Sequence, residues 1–177
     1  MIPTSTRGTI QLAKTAPEGG DATAVFIHKQ TRSAGDYPAL PDAEKAALDR
    51  VLAFGLSRGR SNEIAVQLLD GPRPRRLIVI GLGNQKVFSI ECLREAGAAV
   101  AKAARKNRLK SVAVYPPAIP SSLPGVPGAP PQSDAPLAGI AALAQGLLVG
   151  SFQFEEYHGT MKKNGEKDEP KIGRAHV

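Results

Sequence analysis

The side chains able to do chemistry are few and lie far apart. The three histidines are His28, His158 and His176. None has a second histidine or a cysteine at the spacing of a metal site. His28 closes a short apolar run and reads as a surface or core histidine. Cys92 is the only cysteine, so no internal disulfide can form, which suits a reducing compartment. It falls in the first turn of an expected helix, where a thiolate is favoured, but a lone free cysteine reads first as a packing residue. Gly81-Leu82-Gly83 follows an apolar strand and invites a dinucleotide fingerprint. Lys86 stands where the third glycine should be, and the next helix starts late for that motif. Phosphate binding at the helix start marked by Ser89 remains open. Glu155 and Glu156 are adjacent, so in an extended segment they point opposite ways. Gly150-Ser151-Phe152 does not make a nucleophile elbow, and no HExxH, CxxC pair or P-loop occurs. Nothing assembles a nucleophile, a base and an electrostatic clamp. No catalytic, cofactor-binding or metal-binding residue is therefore assigned.

The elements that would position such residues centre on Arg76–Tyr115. Leu77–Ile80 is a branched apolar run of the kind buried on both faces of a sheet. Gly81 to Asn84 turns the chain. Ser89 caps a helix, with Phe88 and Leu93 as a hydrophobic staple around it. Ile90, Leu93, Gly97, Val100 and Ala104 form the helix's apolar face. Arg105, Lys106 and Arg108 gather at its C-terminal end, where the dipole favours cations. Ser111–Tyr115 is a second buried strand. Strand, crossover helix and strand predict a βαβ unit, with Leu77–Ile80 and Ser111–Tyr115 as a parallel pair in right-handed connection.

Upstream, Thr9–Ala13 and Ala24–His28 are short strand candidates separated by turn residues. A helix is expected from Asp42, as its cap, to Phe54, with Ala47, Leu48, Val51 and Leu52 facing inward and Gly55 or Gly59 ending it. Asn62–Leu69 is the next strand, able to pair antiparallel with Leu77–Ile80. Downstream, Pro116–Pro136 holds eight prolines. Such a segment excludes a helix or an inner strand and reads as an extended surface insertion. A last helix opens at Ser133 or Asp134, with Gly150 as its expected C-cap. Leu137, Ile140, Ala141, Ala144, Leu147 and Leu148 leave it apolar all round, which predicts burial on most sides, against this domain or a further partner. Ser151–Tyr157 alternates, and His158–Arg174 is a charged, linker-like stretch.

With 177 residues, 42% of them hydrophobic, the chain can bury one domain's core. No apolar run approaches the roughly 20 residues of a membrane span. MIPTSTRGTIQLAK lacks the apolar core of a secretory signal. A cytoplasmic location follows as the expectation, with no membrane partner. The formal net charge of +7 gathers at Arg58–Arg76, Lys102–Lys110 and Lys162–Arg174. A nucleic-acid footprint would use it. No aromatics interleave with these cations as would support single-strand binding, and solvated helix ends and a tail are the preferred account of them. A stand-alone nucleic-acid or nucleotide-phosphate binding module is the alternative reading of function.

Three blocks carry a family resemblance: LIVIGLGNQKVFSIECLREAGAAVAKAARK, LKSVAVYP, and AQGLLVGSFQFEEYHGTMKK followed by EPK. The helix ending in GLLxGSFxFxxY before a lysine-rich segment is the most specific. Together they resemble the N-terminal domain of leucyl aminopeptidases, the M17 or cytosol aminopeptidase family of metallopeptidases. The resemblance implies an α/β domain of macro-like type, with a mixed, mostly parallel sheet flanked by helices over residues 1–159 and a proline-rich loop at 116–136. Residues 160–171 would then be a linker toward a catalytic domain absent from this chain, and 172–177, IGRAHV, reads as a non-native tail. The resemblance further implies a parent enzyme that removes N-terminal residues from peptides, a homo-hexamer, and two divalent metals (manganese or zinc) in the absent domain. None of the family's ligand motifs occurs here, so no catalytic position transfers to this chain.

Overall fold

A computed structural model describes residues 9–13, 20–71, 73–120 and 135–152. The elements run β1 (Ala22–Ile27), α1 (Asp42–Ala53), β2 (Ile64–Leu69), β3 (Arg75–Gly81), α2 (Ile90–Lys106), β4 (Val112–Val114) and α3 (Ala135–Ser151), with single 3-10 turns at Ala34–Asp36 and Gln85–Val87. The sheet order is β2-β3-β1-β4. β1 pairs parallel with both β3 and β4, and β2 pairs antiparallel with β3. This is the mixed, mostly parallel α/β sheet expected from the sequence, with the antiparallel β2–β3 pair included.

β1 takes the centre because every one of its six residues is buried. A strand apolar on both faces needs a neighbour at each edge and cover on each side. That corrects one expectation. β3 and β4 run in the same direction, but they are not a hydrogen-bonded pair, because β1 lies between them. The two faces of the sheet build separate cores. Ala22, Ala24, Phe26, Ile78 and Ile80 pack under α2 and α3 against Leu93, Ala96, Val100 and Leu143. Val25, Ile27, Leu77 and Val79 pack on the other face against Ala47, Leu48 and Val51 of α1.

Helix ends follow local chemistry. Ser89 is the N-cap of α2, its hydroxyl accepting from the Cys92 N–H at 3.5 Å. Phe88 and Leu93 are both buried, as a staple requires. α1 differs from expectation: Pro41 holds the cap position without a side-chain bond, and Asp42 is the first helical residue, where its charge still complements the helix dipole. Gly55, at φ 64°, ends α1. Its N–H donates to Leu52 O at 3.1 Å and the Leu56 N–H donates to Val51 O at 3.0 Å, the paired bonds of a Schellman stop.

Three further expectations fail. Thr9–Ala13 forms no strand and is exposed; alternation of Ile10 and Leu12 gives no strand without an edge to pair with. Gly150 is not a C-cap but lies inside α3, where its missing side chain admits α2: a Cβ there would sit 2.6 Å from Ala98 Cα. Nor is α3 buried on most sides. Gly139, Ala142, Leu143, Gly146 and Gly150 are buried, while Leu137, Ala141, Leu148 and Val149 are exposed. The expected linker, the tail, most of the proline-rich loop, Glu155, Glu156, His158 and His176 lie outside the described residues.

Candidate functional site

The parallel strands end together on one edge of the sheet, the usual place for a ligand crevice in an α/β fold. There the chain is knitted by main-chain bonds. Leu82 N–H donates to Ile27 O at 2.8 Å, Lys29 N–H to Gly83 O at 3.0 Å, and Gly83 N–H to Gly59 O at 2.9 Å. Gly81 N–H donates to Glu63 O at 2.8 Å, and Asn62 N–H returns to Gly81 O at 3.0 Å. The glycines of the turn serve this closeness. A Cβ on Gly81 would collide with the Arg60 carbonyl oxygen and sit 2.8 Å from the Gly59 carbonyl carbon, and Gly83 holds φ 80°. The amides of Leu82 and Gly83 are thus committed to the protein's own carbonyls. A dinucleotide turn would aim them at a pyrophosphate, and the Gly81-Leu82-Gly83 turn does not.

His28 follows β1. Its ring stands edge-on to Phe88, with centroids 5.0 Å apart and planes at 88°. Burial lowers its pKa below the ordinary histidine value, and a hydrogen bond to the Gly83 backbone pulls the other way. The neutral ring acts as a packing wedge between the β1 end and the approach to α2. Among the described residues no group of three or more His, Cys, Asp or Glu could hold a metal. Cys92 is half-buried against Ser89 Oγ at 3.4 Å and joins the α2 core. Ser89 and Cys92 therefore serve the helix start, as the packing reading expects.

Two hollows open nearby. One, of about 480 Å³, is lined by Phe26, His28, Tyr37, Leu40, Tyr115 and Pro116 among others. Tyr37 Oη donates to Phe26 O at 2.5 Å, and burial raises the pKa of both Tyr37 and Tyr115, so both phenols stay neutral. The second, of about 530 Å³, is rimmed by Lys29, Arg32, Arg58 and Arg60. Beside it, the Glu63 carboxylate accepts from the N–H groups of Arg58 at 2.8 Å and Arg60 at 3.0 Å, and from Ser57 Oγ at 3.1 Å. Burial alone would raise the Glu63 pKa; these donors bring it below the ordinary value. The loop's anion-binding amides are thus filled from within.

Sequence reasoning missed one buried polar cluster. Glu44, 1% exposed, pairs with Arg75 Nη2 at 2.9 Å and accepts from Thr23 Oγ1 at 3.3 Å. Arg75 also donates to Gly20 O at 3.2 Å. The signal was available: Glu44 shares the i, i+3, i+4, i+7 stripe of Ala47, Leu48 and Val51, and so faces the core. The cluster ties α1 to the starts of β1 and β3. Asp21 performs a similar task, accepting from Lys110 N–H at 2.7 Å and Ser111 N–H at 3.2 Å. The described carboxylates with fixed geometry therefore hold the fold together.

Comparison with known proteins adds to this geometry. The N-terminal domain of the cytosol aminopeptidase family matches residues 24–160. A probable cytosol aminopeptidase of Microcystis aeruginosa is 29% identical over 134 residues, covering 76% of this chain and 24% of that protein. One from Synechocystis is 27% identical over 136 residues, 76% of this chain and 25% of that protein. One from Thermosynechococcus vestitus is 31% identical over 93 residues, 51% of this chain and 19% of that protein. The chain spans about a quarter or less of the length of these relatives.

Proposed function

The chain belongs to the cytosol aminopeptidase family, as its N-terminal domain, and on that footing we propose that it is the non-catalytic front domain of a metal-dependent aminopeptidase. The parent enzyme removes N-terminal residues from peptides, leucine among them, in the cytoplasm. One observation carries the reading: the match fills most of this chain and only about a quarter of the relatives, which are named for an aminopeptidase activity. The chemistry then belongs to the part of those proteins beyond this domain. Two divalent ions there, manganese or zinc, would polarise the scissile carbonyl and supply a nucleophilic water. The described donors of this chain do not fit such ions. Asp21 and Glu63 accept main-chain amides, and Glu44 is paired with Arg75. The domain's proposed role is to fold on its own core and position the catalytic region within a homo-hexamer.

The alternative, a stand-alone nucleic-acid or nucleotide-phosphate module, loses the support of the glycine turn because the Gly81–Gly83 amides and the Arg58–Arg60 amides are filled internally, which leaves the +7 charge as its motive. The test of the preferred reading is metal dependence in the complete gene product. A chelator should abolish release of leucine from a leucine amide substrate, and manganese or zinc should restore it. Hydrolysis indifferent to chelation, or a product without peptidase activity, would contradict it.

A further inference from the structure

α3 has two apolar faces, and the described domain uses one. Gly139, Ala142, Leu143, Gly146 and Gly150 are buried on the inner side. A Cβ on Gly97 of α2 would sit 2.9 Å from the Leu147 nitrogen, and one on Gly146 would collide with the Arg94 carbonyl oxygen, so the two helices touch at backbone distance. On the opposite side Leu137, Ala141, Ala144 and Leu148 recur at intervals of four, three and four residues. Leu137 is 66% exposed, Leu148 50%, and Val149 on the flank 70%. That spacing is the seam along which one helix receives another. A helix facing water normally carries charges on its outer side, and α3 has no charged residue anywhere in its length. A continuous uncharged apolar stripe on a surface marks a docking site.

We propose that this stripe seats a helix of the region that the relatives carry beyond this domain. The inference rests on the reading of the chain as the front part of a longer aminopeptidase. The relatives place about three quarters of their length outside the matched part. The stripe runs into the last turn of α3, so a region following in the chain is tethered at the stripe's end. Tethering supplies an effective concentration near millimolar, enough for a modest patch to stay engaged. Positions 153–171 contain only Phe154, Tyr157 and Met161 as large apolar side chains, against a stripe of roughly 17 Å from Leu137 to Leu148. A second copy is the weaker occupant, because a formal charge of +7 on each chain opposes self-association.

The test is thiol labelling. Leu148→Cys is made in a Cys92→Ser background, both in this chain and in the complete gene product, and reaction with a maleimide is timed. Ala46→Cys, on exposed α1 at the opposite face of the sheet, is the reference. Labelling of Leu148→Cys at least about tenfold slower in the complete product, relative to the reference, is the expected result, since a docked seam excludes water. Leu137→Cys should be protected alike. Equal rates in the two proteins overturn the docking, and if that product still hydrolyses peptides the family reading stands without it. Protection in this chain alone that grows with protein concentration assigns the stripe to a second copy and also overturns the proposal. A complete product lacking peptidase activity overturns the reading itself.

Discussion

At the scale of residues, the polar groups with fixed geometry divide by what they hold together. Glu44 is the most constrained, a buried carboxylate paired, among the described residues, with Arg75. Arg75→Met would leave that charge without its partner. Breaking such a pair costs about 3–5 kcal/mol, and the lower end applies here because Arg75 retains some solvent. Urea denaturation should show the loss, and a variant as stable as the parent would show that Glu44 is held otherwise. His28 gives a pH signature. Burial lowers its folded pKa, so the unfolded chain takes up the proton first as pH falls. The stability from the neutral ring is complete above the unfolded histidine value, about 6.5, and is lost as pH falls through the lower folded value. Between pH 7.5 and 5.5 the urea midpoint of the parent should fall, and that of His28→Gln should fall less. Parallel midpoints would contradict the assignment. Asp21 and Glu63, also lowered, act with the same sign in the acid range below about pH 4.5.

At the scale of elements, the α2–α3 contact depends on residues with no side chain to offer. Gly146→Ala would push a methyl into the Arg94 backbone, where little can move. Overpacking of this kind costs about 1–3 kcal/mol. Ala144→Ser, at a half-exposed position on the outer side, should cost under about 0.5 kcal/mol. Thermal or urea unfolding distinguishes them, and equal effects would mean that the helices do not meet at backbone distance. Much of this level was legible in the sequence. The strand at Leu77–Ile80, the Ser89 cap, the Phe88–Leu93 staple and the inner face of α1 all rest on local chemistry, and local chemistry is written in neighbouring residues. The failures share a cause. The place of β1 between β3 and β4, the use of Gly150 for packing instead of capping, and the exposure of one side of α3 depend on what lies across space. Glycine at a helix end and glycine at a helix contact look alike in sequence.

At the scale of the whole molecule, the family was legible in the three sequence blocks. The candidate groups read from spacing proved structural: the glycine turn spends its amides on Ile27 and Gly59, and His28 packs on Phe88. No spacing rule separates a backbone amide aimed at a phosphate from one aimed at a carbonyl. Around the aromatic hollow both tyrosines stay protonated, and the His28 ring is engaged edge-on with Phe88. On the proposed reading, this domain supplies packing and the chemistry lies elsewhere in the parent protein. The most direct measurement compares this chain with the complete gene product at equal molarity, in manganese or zinc, on a leucine amide. Release by the complete product and none above blank by this chain is the predicted result; hydrolysis by residues 1–177 alone would contradict it.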